Sequence, residues 1–344
     1  MQPHDECGVA QVYALPWGKV ECCACRSGAQ LATIAFVSNE ISPPEDKPMN
    51  EPQPGIFSTG FSHHYLLEFA LKPGYDEKEL RNLVGQVSDA DSVEQSVVVA
   101  FGRDAWQVLA PDAVPEGLIP FYPVVGKDNL VARGSQCDIL VWIQSSAHDM
   151  NLQLALDFKQ QLATIASLEL EVHGFRYLDS RDLTGFIDGT ENPSEERAPA
   201  VALIPEGKIG AGGSFVLTQK WAHDLEAFQQ LDVSEQERVI GRTRADSVEL
   251  EDAPPTSHIR RTDVKIEGKA LEIYRRSVPY GGVQDHGLYF LAFSCELIRF
   301  AIQLDRMFGC SEDGLVDRLT EFSTPVSGSY WFAPSKQQLA LAAS

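Results

Sequence analysis

Leu183-Thr184-Gly185-Phe186-Ile187-Asp188-Gly189-Thr190-Glu191-Asn192-Pro193 packs two glycines, a proline and two acids into eleven residues. Gly185 and Gly189 open backbone angles closed to other residues, and Pro193 stops any regular element. Asp188 sits between those glycines, beside apolar Phe186 and Ile187. A carboxylate on so rigid a turn can be held at one point of a cavity. A bare Asp-Gly pair is an ordinary turn signal, and the length of the surrounding string is what sets this one apart.

Downstream, two segments offer partners for that carboxylate. His258 stands in Pro254-Pro255-Thr256-Ser257-His258-Ile259-Arg260-Arg261, behind a proline pair that stiffens its approach. A neutral imidazole can bind iron through one nitrogen while the other anchors to an acceptor. Arg275 lies in Ile273-Tyr274-Arg275-Arg276-Ser277-Val278-Pro279-Tyr280-Gly281. Adjacent arginines on a strand face opposite ways, so at most one of Arg275 and Arg276 enters a pocket. A guanidinium stays charged at any working pH and can steady developing negative charge on oxygen. Ser277 shares Arg275's face at a period of two, and Leu288 and Phe290 share one face of the next strand.

Together, Gly-Phe-Ile-Asp-Gly-Thr, Ser-His-Ile-Arg-Arg and the arginine before Pro-Tyr-Gly resemble the motifs of the dye-decolourising peroxidases, in their compact bacterial cytoplasmic branch. The resemblance runs from about Pro52 to Pro334. It implies an α+β fold of two ferredoxin-like domains with antiparallel sheets, of the dimeric α+β barrel type, with haem held in the C-terminal half. It also implies one haem b per chain with His258 as its axial ligand. Asp188 would be the acid–base residue, and Arg275, as the inward arginine, would orient the peroxide. Gly189, Thr190, Ser277, Leu288 and Phe290 would surround the cofactor, the last two as its apolar wall. The carboxylate behind His258 is expected to be Asp317, with Asp305 second. The implied activity is reduction of hydrogen peroxide with one-electron oxidation of dyes and phenolics, by a homo-oligomer (a dimer or larger) in the cytoplasm. Two alternatives are a haem carrier using the same pocket and a chlorite-dismutase-like enzyme, which would not need the Gly-Phe-Ile-Asp-Gly turn. An aspartate base, with a reference pKa of about 3.9 against about 6.5 for histidine, remains competent at acidic pH. Radical transfer to the surface could use Trp106, Trp142, Trp221, Trp331 or Tyr330.

Around these motifs the chain divides into residues 1–48, an extension or mis-assigned start before Met49; 52–177 and 178–334, the two domains; and a short tail, 335–344. Strands are expected over 64–71, 96–101, 138–143 and 170–177, with helices over 77–87 and 151–168. The second half repeats the scheme with strands over 214–220, 271–276 and 287–293. Its helices are expected over 224–231, 233–240 (capped by Ser234) and 297–308.

Composition narrows the partners. Among 344 residues the formal charge is −21, with 44% hydrophobic and 22% charged content. That is a globular composition whose sign opposes nucleic acid and anionic membranes. No run approaches the roughly 18–20 apolar residues of a membrane span. Seven cysteines, an odd number, make no disulfide framework. Cys7, Cys22, Cys23 and Cys25 cluster early, but their spacing does not fit a structural metal site. No His-x-x-x-His, Walker or dinucleotide motif accompanies Asp188, and His173, His223 and His286 carry no motif.

Overall fold

The computed structural model describes residues 12–15, 18–21, 50–87 and 94–344. The Cys7, Cys22, Cys23 and Cys25 cluster and Met49 lie outside them. In the first half, β1 (His63–Leu71), β2 (Gln95–Phe101), β3 (Ile139–Ser145) and β4 (Ala166–Phe175) pair in the order β4-β1-β3-β2. Helices α1 (Glu77–Val87) and α2 (His148–Leu162) link β1 to β2 and β3 to β4. That connectivity and order make a ferredoxin-like unit.

The second half repeats it. β5 (Ser214–His223), β6 (Val278–Gly281), β7 (His286–Ser294) and β8 (Ser329–Ala333) pair in the order β8-β5-β7-β6. Between β5 and β6 lie α3 (Val233–Ile240) and the single turn α4 (His258–Thr262), and α5 (Ile298–Met307) follows β7. The halves join at two seams, Phe101 against Phe332 and Gly174 against Tyr280, each a single bridged pair. All these pairings are antiparallel, and the ring of eight strands closes into a barrel.

Strand alternation gives the barrel two apolar faces. Leu66, Val98, Leu140, Trp142, Leu291 and Trp331 fill the interior. The outward residues, such as Leu67, Val141 and Leu217, pack beneath helices. Both faces of β1 are therefore buried, which is why its sequence shows no apolar–polar alternation and runs apolar from Tyr65 to Leu71 except at Glu68. The β4–β6 seam depends on Gly174, because a Cβ there would stand 2.4 Å from Val278 Cγ2. Gly174→Ala should lower stability by about 1–3 kcal/mol through overpacking, read as a fall in the urea midpoint.

Several elements differ from their expected bounds. The helix expected over 151–168 ends at Leu162, because Ala166 already pairs with Leu71 and begins β4. The strand expected over 271–276 is confined to Tyr274–Arg275, and the same register resumes as β6. Pro279 in β6 lacks the amide that a full ladder requires, and Leu271 instead packs on Val264 and Ile302. Asp232, not Ser234, caps α3, accepting the Glu235 amide. Beyond Pro325, β8 was not foreseen. Within 335–344, a helix over Lys336–Ala342 starts from a Ser335–Gln338 capping box.

Candidate active site

The Asp188 turn is built from backbone bonds and two left-handed glycines. Asp182 N–H donates to Phe186 O, Gly185 N–H to Asp182 O and Asp188 N–H to Ser180 O, at 2.9, 2.9 and 3.1 Å. Gly185 has φ 90° and Gly189 φ 80°. A Cβ on Gly185 would also lie 2.5 Å from the Arg244 guanidinium, so that position excludes other residues twice over. Phe186 anchors the turn by packing edge-on against Phe228. Asn192, inside the quoted stretch, ties the turn to the arginine strand. Its Nδ2 donates to Arg275 O at 2.8 Å and its Oδ1 accepts Arg275 N–H at 2.9 Å. Asp188 and Arg275, 87 positions apart, are thus held by one amide.

A cavity of about 510 Å³ opens on this turn, between the outer faces of β5 and β7 and helices α4 and α5. Asp188, Gly189, Thr190, His258, Arg275, Leu288 and Phe290 all line it. Arg276 faces the opposite way, into the barrel, where it donates to Gln144 Oε1 at 3.1 Å and lies 5.0 Å over the Trp142 ring. Arg275 and Arg276 therefore face opposite ways, as strand alternation requires. Ser277 is the exception. It stays on Arg275's face of the strand but is not part of the cavity wall, and its Oγ accepts the Leu291 amide at 3.4 Å. A side chain this short ends on nearby backbone rather than reaching the cavity.

His258 opens α4, and its Nδ1 lies 2.7 Å from Asp317 Oδ2. Asp317 is fully buried, and its Oδ1 accepts the Leu319 amide at 2.9 Å as the cap of a short 3-10 turn. Because a carboxylate only accepts, Nδ1 carries the proton and Nε2 keeps its lone pair. Asp317, rather than Asp305, is the carboxylate bonded to the histidine.

Burial raises the Asp188 carboxyl above its ordinary range; nearby Arg275 pulls it down, and Asp182 pushes it up again. Asp182 belongs to a chain that sequence reasoning missed. Its Oδ1 is 3.1 Å from His223 Nε2, and His223 Nδ1 is 2.8 Å from Ser323 Oγ. Burial opposes ionisation of Asp182, yet its bonds to His223 and Thr184 hold it below the usual carboxylate range. All four residues line the cavity. Their separation in sequence offered no local signal. Of the five aromatic residues considered for radical transfer, Trp221 lines the cavity, and all five are buried.

The cavity fits a large, mostly apolar cofactor with a metal centre. Its volume lies within the roughly 300–1,000 Å³ of pockets that enclose organic ligands. Leu288, Phe290, Phe300, Leu304 and Met307 supply apolar wall. Gln219 also lines the cavity, and its buried Nε2 has no hydrogen-bond partner among the described residues, so a polar ligand atom would satisfy it. One carboxylate-backed histidine, with an aspartate and an arginine on the same enclosed space, is the arrangement of a haem-peroxidase site.

Comparison with known proteins agrees. Residues 58–176 match the family described as Dyp-type peroxidase, N-terminal, and residues 179–338 match Dyp-type peroxidase, C-terminal. The dye-decolorizing peroxidase of Mycobacterium tuberculosis is 37% identical over 246 residues, 70% of this chain and 73% of that one. The dye-decolorizing protein from V. cholerae superposes with a TM-score of 0.73 at 37% identity, covering 85% of this chain and 97% of that one. A Rhodococcus jostii DypB variant solved in complex with heme gives 0.77 at 31% identity, covering 82% and 96%. This chain belongs to the Dyp-type peroxidase family.

Proposed function

We propose that the cavity binds haem b, whose iron His258 would hold through Nε2, and that the protein reduces hydrogen peroxide while taking single electrons from dyes and phenolics. The 2.7 Å contact between His258 and Asp317 carries this reading, because it leaves Nε2 free for a metal on the same cavity as Asp188 and Arg275. Haem, when bound, supplies the redox chemistry. Asp188 takes the proton from the near peroxide oxygen and returns it to the far one, which leaves as water. Arg275 orients the peroxide and steadies negative charge as the O–O bond breaks. Asn192 keeps these two groups in register. Gly189 and Thr190, like Leu288 and Phe290, line the cavity and would pack against the cofactor. By family resemblance the enzyme is a cytoplasmic homo-oligomer. Among the described residues, no helix is long and apolar enough to cross a membrane.

The test is to mix haem-loaded protein with one equivalent of hydrogen peroxide and follow the Soret band by stopped flow. A rapid change is expected. An unchanged band would leave a haem-binding protein that does not activate peroxide.

The raised Asp188 also predicts a pH dependence. The carboxylate is the competent base, so the rate of the peroxide reaction falls as pH drops through the Asp188 value, which lies above that of an ordinary aspartate. Asp182→Asn removes a charge that pushes this value up, and so should shift the acid limb of the profile to lower pH. A limb that stays in place would mean that another group titrates.

A further inference from the structure

The barrel interior holds an ionisable group for which the cavity chemistry has no use. Glu68 on β1 is 1% exposed and shares the interior with Leu66, Leu140 and Trp142. Its Oε1 accepts the Tyr289 hydroxyl at 2.5 Å and the Thr218 hydroxyl at 3.1 Å, and its Oε2 accepts Ser329 Oγ at 3.4 Å. Thr218 Oγ1 in turn accepts Trp331 Nε1 at 2.9 Å. Among the described residues no cation pairs with Glu68, and burying an unpaired carboxylate is costly, so stability does not account for it.

Tyr289 links this group to the active site. Its neighbours Leu288 and Phe290 line the cavity, while the alternation of β7 turns Tyr289 inward. A single strand thus separates the phenol from the cofactor's wall.

We propose that Tyr289 is a one-electron donor to the haem and forms a phenoxyl radical inside the barrel, with Glu68 as its proton acceptor. This rests on the haem-peroxidase reading above. In the step, Tyr289 loses one electron to the peroxide-oxidised cofactor and its O–H bond breaks. The proton crosses the 2.5 Å contact to Glu68 Oε1, leaving a neutral phenoxyl and a neutral carboxyl. An organic donor reverses the step by returning one electron, and the proton goes back. The pair stores one oxidising equivalent away from solvent.

The surroundings give this step a pH dependence. Tyr289 from β7, Thr218 from β5, Ser329 from β8 and Cys137 just ahead of β3 face Glu68. Burial pushes Glu68 up to about 7 against the hydrogen bonds from Tyr289, Thr218 and Ser329. Burial first, then Glu68, pushes the Cys137 thiol up to about 12, so it stays neutral. The Tyr289 phenol is raised well above its ordinary value, chiefly by burial, so it keeps its proton until an electron leaves. Glu68 can therefore accept a proton above about 7 and is already protonated below it.

The experiment mixes holoenzyme with one equivalent of peroxide in the absence of donor, freezes it within milliseconds and records electron paramagnetic resonance. The Soret change is read on the same samples, so failure to activate peroxide, which sinks the reading of the site, is distinguished from failure to form the radical. The expected result is a signal that narrows with ring-deuterated tyrosine, is stronger at about pH 8 than at about pH 6, and is lost in Tyr289→Phe. In Glu68→Gln the yield should fall and lose its pH dependence. Independently of haem, the cofactor-free protein should show a carboxyl infrared band titrating near the Glu68 value of about 7 and absent from Glu68→Gln. A normal Soret change with no protein radical, or with a signal unaltered in Tyr289→Phe, overturns the proposal. A yield indifferent to Glu68→Gln overturns the acceptor role. Should Tyr289→Phe not fold, a signal indifferent to ring deuteration or constant with pH overturns it equally.

Discussion

Asp188→Asn protein should load haem like the parent and react with peroxide about 10²–10⁴-fold more slowly, the usual size of a lost general acid–base. Asparagine matches aspartate in shape, and the bonds that build the turn come from backbone: Asp188 N–H to Ser180 O and Asp182 N–H to Phe186 O. Gly185 and Gly189 keep their left-handed angles, so the loop remains as it is. What disappears is a group able to take a proton. Arg275 stays in place because Asn192, not Asp188, holds its backbone. Single-mixing stopped flow measures the rate, and the haem content of each preparation shows whether the cavity survived. A variant as fast as the parent would move the base elsewhere, with Asp182 and His223 the next groups on the cavity wall.

Asp317→Asn should weaken haem binding by about 10–100-fold, the usual effect of losing a ligand's outer partner. Asparagine can still present an oxygen to the Leu319 amide, so the 3-10 turn that Asp317 caps is preserved. Against His258, however, an amide can be a donor where the carboxylate only accepted. The ring then gains by placing its own proton on Nε2, the nitrogen needed for iron. Even where the amide oxygen faces His258, the imidazole loses the negative charge that makes it electron-rich. Titration of cofactor-free protein with haem, followed at the Soret band, measures the loss. A urea melt of the same cofactor-free protein separates it from general destabilisation. Unchanged affinity would place the axial ligand elsewhere.

The turn, the histidine segment and the arginine pair were legible because each is a local string whose chemistry is written in neighbouring residues. The opposite facing of Arg275 and Arg276 followed from strand geometry alone. Ser277 obeyed the same geometry and still missed the cavity, since alternation fixes a face but not the reach of a hydroxyl. The Asp182–His223–Ser323 chain is assembled by the fold from three separate segments, so no window of sequence contains it. Asn192 lay in plain view inside the quoted stretch, but its partner is 83 residues away. The duplicated architecture was expected from resemblance, whereas the sequence repetition is too faint to show it. Only the matched strand orders of the two halves make it visible. Strand β8 went unseen because five residues between Gly328 and Pro334 read as part of a tail. Its pairing with β5 is a long-range fact.

The two seams of the barrel bear on how the protein comes apart. Every residue lining the cavity falls between Asp182 and Ser323, within the second half. Across each seam only one residue pair is bridged, whereas β5 and β7 pair along eight positions. Cohesion between the halves therefore comes from the side chains filling the barrel and from the helices packed outside it, more than from shared backbone bonds. Amide exchange should be slower along β5 and β7 than at the seam positions Gly174, Tyr280, Phe101 and Phe332. A molecule could part along those lines like a book opened at its fore-edge, with the cofactor still gripped by one cover.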